Sequence, residues 1–108
     1  MKPQFKINHG VATLDIPGDL VNTNVDCVRD TSAEFLDPAK FPAGSCRTLQ
    51  VNLAAAQMVD SMGLNLIVTL LKRARERNAQ MEIIYSNTNV LRTFAFTRLD
   101  RQMKMTKV

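Results

Sequence analysis

The stretch LQVNLAAAQMVDSMGLNLIVTLLKRARERNAQMEIIYS, residues 49–86, decides the fold class. Its first residues alternate Leu49, Val51 and Leu53 with polar neighbours, the two-residue period of a β-strand. Beyond VDSMG, the apolar residues Leu64, Ile67, Val68, Leu71 and Ala74 keep helical spacing as far as Asn78. MEIIYS then reads as a compact apolar strand. A strand, a long helix and a strand in that order form a βαβ crossover, the unit of an α/β sheet.

The flanks continue the alternation. Residues 11–16 place Ala12, Leu14 and Ile16 on one face before Pro17 and Gly18 turn the chain, so a strand precedes the central unit. The polar NTN at 22–24 offers helix-capping oxygens, and Val25, Val28, Phe35 and Leu36 share one side of a helix over residues 23–37 that Pro38 stops. DPAKFPAGS, residues 37–45, has the prolines and glycine of a loop. After MEIIYS a second NTN, residues 87–89, opens a short helix carrying Val90, Leu91, Phe94 and Ala95, followed by a basic tail. The expected architecture is one α/β domain over residues 1–108, with its core at about 4–104. It has a mixed β-sheet of about four to five strands, short edge strands near either end, and helices packed on the sheet.

Composition bounds the function. A chain of 108 residues, 45% hydrophobic and 22% charged, can bury roughly 65% of its unfolded surface and needs neither metal nor disulfide. Cys27 and Cys46 match no zinc spacing and read as free thiols of a reduced compartment. The N-terminus lacks the apolar stretch of a secretory signal and no run is long enough to span a bilayer, so the expectation is a cytoplasmic protein without membrane insertion. Up to Cys46 there are four Lys/Arg against six Asp/Glu, and from Arg47 ten against four, so the halves carry −2 and +6. The excess coincides with KRARER, where Lys72, Arg73, Arg75 and Arg77 oppose the negative end of a helix dipole and read as a solvated helix end. With no Trp and one Tyr there is no base-stacking platform, and nucleic acid is not an expected partner. His9 lies in a polar turn without a partnered acid or nucleophile; no catalytic triad is visible, and the chain reads as a non-enzyme without a cofactor. Met58, Met62, Met81, Met103 and Met105 read as core filler or loop contacts, with Met62 a candidate to face a partner.

The chemistry concentrates at the start of the long helix, where VDSMGL places Asp60, Ser61 and Gly63. A helix N-terminus carries unpaired N–H groups and partial positive charge, so Ser61 there can cap the helix and, once phosphorylated, have its phosphate accommodated. Read alone, D-S-x-G is a common helix start, with the serine a cap and the glycine a close-packing residue.

The order of blocks around it resembles the STAS family, named for sulfate transporters and anti-sigma factor antagonists, over residues 11 to about 103. The blocks that carry the resemblance are Gly18-Asp19-Leu20, VNL at 51–53, VDSMGL at 59–64, and Val90, Arg92 and Phe94. The resemblance implies that Ser61 is a phosphoacceptor, that Asp60 shapes its loop, and that Asp19, Asn22, Asp60, Met62, Gly63 and Leu64 meet a partner. It implies that this partner is a serine kinase with a histidine-kinase-like ATPase fold that doubles as an anti-sigma factor, and that a metal-dependent serine phosphatase reverses the mark. The implied function is that of an anti-sigma factor antagonist, bound while Ser61 is unmodified and released by its phosphorylation. The family's alternative role is an accessory subunit of a lipid or anion transport complex. Three positions depart from the pattern. Met62 replaces a second Ser or Thr, leaving Ser61 as the one hydroxyl in the loop. Val21 replaces an acidic residue after the G-x-L turn, leaving Asp19 as a carboxylate there. Arg98 replaces a glycine near the end of the third helix, where a left-handed cap costs more and a different helix ending is expected.

Overall fold

The computed structural model describes residues 2–37, 44 and 46–108; most of the loop expected over 37–45 lies outside the described residues. Five strands form one mixed sheet in the order β1-β2-β3-β4-β5. β1 (Gln4–Asn8) and β2 (Val11–Asp15) make an antiparallel hairpin. Its two-residue turn takes positive φ at both His9 (52°) and Gly10 (81°), the twist that two-residue hairpin loops require. β3 (Thr48–Leu53), β4 (Gln80–Tyr85) and β5 (Lys104–Lys107) continue from β2 in parallel. The expected α/β class and mixed sheet are therefore observed.

The strand alternation sorts the two faces of the sheet. In register, Leu14, Val51, Ile83 and Met105 lie in one row, and the first three are fully buried. Between these rows, Thr13, Gln50 and Glu82 stay half-buried on the other face. There Gln50 Nε2 donates to Glu82 Oε1 (2.8 Å), Thr106 Oγ1 donates to Glu82 Oε2 (2.6 Å), and Asn52 Nδ2 donates to Asp15 Oδ1 (3.0 Å). The three crossovers from β2 to β5 step the same way along the sheet, and crossovers of one hand then lay their helices on the same face. The helices thus cover the apolar face, and the other presents a hydrogen-bonded polar surface.

The helix expected over 23–37 is two. α1 (Val25–Thr31) and α2 (Ala33–Leu36) break at buried Ser32, whose hydroxyl donates to the carbonyls of Val28 (3.0 Å) and Arg29 (3.2 Å). Such back-bonding competes with the backbone ladder and bends helices. α3 (Ser61–Glu76) ends as the sequence suggests: Asn78 turns left-handed (φ 59°), its N–H bonds the Arg75 carbonyl, and the Ala79 N–H bonds the Ala74 carbonyl at 2.8 Å. These paired bonds close a Schellman motif. α4 (Thr88–Phe96) is followed by Arg98 at φ 62°. The left-handed position is kept without glycine, contrary to the expected change of ending. The chain then makes a 3₁₀ turn, Leu99–Arg101, and β5, so the expected basic tail is ordered structure.

KRARER is also more than a solvated helix end. Arg77 is 3% exposed; its guanidinium sits 4.7 Å from the Phe35 ring centre, and Nη1 donates to the Arg73 carbonyl at 3.0 Å. It caps the end of α3 and joins it to α2. Arg73 closes on Glu76 at 2.7 Å. No helix among the described residues is long and apolar enough to cross a membrane.

Candidate functional site

At the carboxyl ends of β2 and β3 two loops, residues 16–24 and 54–60, are stitched together. Leu20 and Val59 form a parallel bridge, with the Leu20 N–H on the Met58 carbonyl and the Asp60 N–H on the Leu20 carbonyl, both 3.1 Å. Each loop also lends a carboxylate to the other. Asp19 Oδ1 accepts the backbone N–H groups of Gln57 (2.7 Å) and Met58 (3.2 Å), while Asp60 Oδ2 accepts the Asn22 N–H at 2.9 Å. Asn24 braces the first loop, its Oδ1 accepting the Val21 N–H at 3.0 Å and its Nδ2 donating to the Asp19 carbonyl.

The helix cap is Asp60. Its backbone is extended (φ −92°, ψ −175°), its side chain accepts the Gly63 N–H at 2.9 Å, and its carbonyl takes the first helical bond, from the Leu64 N–H. Ser61, expected as a capping candidate, is instead the first helical residue. It is exposed, and its hydroxyl has no hydrogen-bond partner among the described residues. The Gly63 N–H, reinforced by that of Asn22, holds the Asp60 carboxyl below the usual carboxylate range. Hydrogen bonds to the charged form have this effect.

Gly63 is buried and sets how close α3 approaches the first loop. A Cβ there would stand 2.9 Å from Leu20 Cγ and 3.0 Å from Val59 Cγ1, and would overlap the Leu20 carbonyl oxygen. Leu64 is half-buried against the core. Met62 and Met58 are 45% and 53% exposed and flank Ser61 in sequence, whereas Met81 and Met103 are buried. Of the residues expected to meet a partner, Asp60, Met62, Gly63 and Leu64 are joined to Asp19 and Asn22 by this stitching. Asp19 is half-buried and holds backbone, while the Asn22 side chain is exposed.

Sequence reasoning missed the groove beside this seam, in which Asn89, Arg92 and Thr93 of α4 face Asp19, Gln57 and Met58. The signal available was the polar side of α4, opposite Val90 and Phe94. Ser86 joins β4 to the same edge, its hydroxyl on the Ala54 carbonyl at 2.6 Å.

Because Asp60 both caps α3 and anchors Asn22, Asp60→Ala is expected to cost about 2 kcal/mol, a cap plus one charged hydrogen bond. A carboxyl whose folded-state pKa is lowered stabilises above its unfolded value and loses that contribution as pH falls through the folded one. Urea unfolding of the wild type should therefore lose stability below about pH 4, and the variant should lose less across that window.

The geometry matches known folds. A putative anti-sigma factor antagonist from Thermotoga maritima superposes with a TM-score of 0.81 at 23% identity, covering 98% of this chain and 86% of that one. The Bacillus cell fate determinant SpoIIAA in its phosphorylated form gives 0.71 at 15% identity, with coverages of 98% and 90%. A sulfate transporter family protein from Wolinella succinogenes gives 0.69 at 8% identity, with coverages of 95% and 82%. No curated protein matches the chain in sequence. The model of the STAS domain matches residues 2–108, and the chain belongs to the STAS domain family.

Proposed function

We propose that this chain is a phosphorylation-switched anti-sigma factor antagonist. Unmodified, it binds a serine kinase of histidine-kinase-like ATPase fold that doubles as an anti-sigma factor. Phosphorylation of Ser61 releases it, and a metal-dependent serine phosphatase resets it. In this reading it is a binding module, not an enzyme, and works in the cytoplasm with its kinase. The supporting observation is the division of labour at the start of α3: Asp60 does the capping, and the neighbouring Ser61 hydroxyl stands exposed and structurally unemployed.

The chemistry follows from that division. A phosphate adds about −1.5 to −2 charges at pH 7, and the helix N-terminus accommodates it without rearrangement. Asp60 keeps its own charge, being held by the N–H groups of Gly63 and Asn22. Two anionic groups then lie side by side next to exposed Met58 and Met62. A partner that buries these methionines must desolvate that charge, which loosens the complex.

The test is to purify the tagged chain with its bound partner from the cells that make it, add Mg-ATP, and map the product by intact mass and peptide sequencing. One phosphate at Ser61 with release of the partner is expected. A stoichiometric phosphate at Thr69, Ser86 or Thr88 defeats the assignment; the hydroxyls of Thr69 and Ser86 already donate to the carbonyls of Asn65 and Ala54. Co-purification with a membrane transport complex and no kinase supports the accessory-subunit role instead.

A further inference from the structure

The cationic run of α3 is only partly engaged in holding the fold. Arg73 pairs with Glu76 and Arg77 is buried under Phe35, but Arg75 is exposed and has no ion pair among the described residues. It lies 14 residues along the helix from Ser61, about 20 Å away at 1.5 Å per residue. There it lines an open groove at the amino-terminal edge of the parallel strands, together with Arg101 of the 3₁₀ turn and Lys104 of β5. Gln80 and Gln102 complete the rim, over a floor that includes buried Met103. No acidic residue is among those lining it. Lys104 borders the groove, but its ammonium pairs at 3.8 Å with Glu82 on the polar face of the sheet, where Glu82 also accepts hydrogen bonds from Gln50 and Thr106.

Two elements thus bring two guanidinium groups, those of Arg75 and Arg101, to one trough with no ion pair to either among the described residues, and like charges held together without a counterion cost stability. We infer that this groove is a second docking site, which takes an extended acidic segment of a partner protein. Two guanidinium groups offer planar forks that match carboxylates bidentately, and the amides of Gln80 and Gln102 can both donate to and accept from a peptide backbone. Beside the groove, the outer edge of β5 pairs with no strand among the described residues, so a partner strand can add to the sheet there. Lys104 and Lys107 deter a basic edge from pairing and admit an acidic one. The trough is open, as suits a chain, whereas small-molecule sites enclose most of their ligand. No aromatic side chain lines it for base stacking, which disfavours single-stranded nucleic acid. The inference stands apart from the Ser61 switch: the two sites sit at opposite ends of α3, and both can be occupied together.

The experiment titrates the full-length, nitrogen-15-labelled chain with the peptide Glu-Val-Glu-Val-Glu-Val. Amide shifts confined to Arg75, Ala79 to Met81 and Arg101 to Lys107 are expected. The double variant Arg75→Glu/Arg101→Glu should lose at least about tenfold in affinity, and Arg75→Gln/Arg101→Gln, which removes charge without reversing it, at least about fivefold. Lys2→Glu/Lys6→Glu, with the same change in net charge at the far edge of the sheet, should bind as the wild type does. Shifts spread over the surface, or an equal loss in the Lys2/Lys6 variant, reduce the effect to net charge and overturn the proposal. Tighter binding of a single-stranded oligonucleotide of equal charge in the same groove also overturns it.

Discussion

Gly63→Ala is expected to destabilise the protein by about 3 kcal/mol, at the upper end of overpacking costs. The added Cβ has nowhere to go: it overlaps the Leu20 carbonyl oxygen, and Leu20 Cγ and Val59 Cγ1 stand within 3.0 Å. The first obstacle is backbone, which cannot move aside by changing rotamer. That carbonyl also accepts the Asp60 N–H, so pushing α3 outward strains the Leu20–Val59 seam and loosens the bond from Asn22 to Asp60. Helix propensity alone argues the opposite sign, since alanine is favoured over glycine by about 1 kcal/mol inside a helix. Urea unfolding decides between them: a variant as stable as the wild type, or more so, means that the close approach at Gly63 does not govern the seam. Hydrogen exchange at the Asn22 and Asp60 amides should quicken in the same variant before global stability is lost.

How much of this was legible in the sequence depends on whether a feature is written in a period or in a contact. The central β3-α3-β4 unit and β2 follow from periods of two and of helical spacing, and each lies close to where the pattern puts it. The uncovered sheet face was written there too: Thr13, Gln50 and Glu82 interrupt runs that would be continuously apolar if helices covered both sides. The break at Ser32 was not, because a serine on the buried side of an amphipathic pattern differs from a helical one only in where its hydroxyl bonds. The edge strand expected near the C-terminal end had no readable position, because Lys104 and Lys107 bracket just Met105 and Thr106, and the strand state of β5 comes from pairing with β4. Arg98 is left-handed although no glycine signals it. Arg77 looks like any cation of its run until α2 brings Phe35 over it.

The site divides in the same way. Asp60 and Ser61 are both good capping residues one position apart, so the sequence leaves two registers for the start of α3. The contact of Gly63 with Leu20 and the bond from Asn22 to Asp60 select one of them. Asp19 was legible as a carboxylate near the loop but not as the acceptor for Gln57 and Met58, a contact across 38 and 39 residues. STAS membership was legible because the family's blocks are local strings in a fixed order.

That register governs the final expectation, for Ser61→Asp and Ser61→Ala. Since Asp60 is the cap, neither change removes a hydrogen bond that holds α3, and both variants should stay within about 0.5 kcal/mol of the wild type in stability, as exposed surface substitutions do. Aspartate in the first turn is favoured by the helix dipole, while its repulsion from the Asp60 carboxylate acts against that gain. Any large change in partner binding therefore reports the interface and not the fold. Aspartate supplies about one negative charge against nearly two for a phosphate, so Ser61→Asp should weaken binding to the kinase by about tenfold, and genuine phosphorylation by about a hundredfold or more. Ser61→Ala removes a hydroxyl that has no hydrogen-bond partner among the described residues, so it should bind as the wild type does and stay bound when Mg-ATP is added. Calorimetry on the three proteins and the phosphorylated form provides the measurement. Equal affinities for the wild type, the Ser61→Asp variant and the phosphorylated chain would rule out the charge at Ser61 as the releasing event, leaving the stitched loops as a constitutive docking edge.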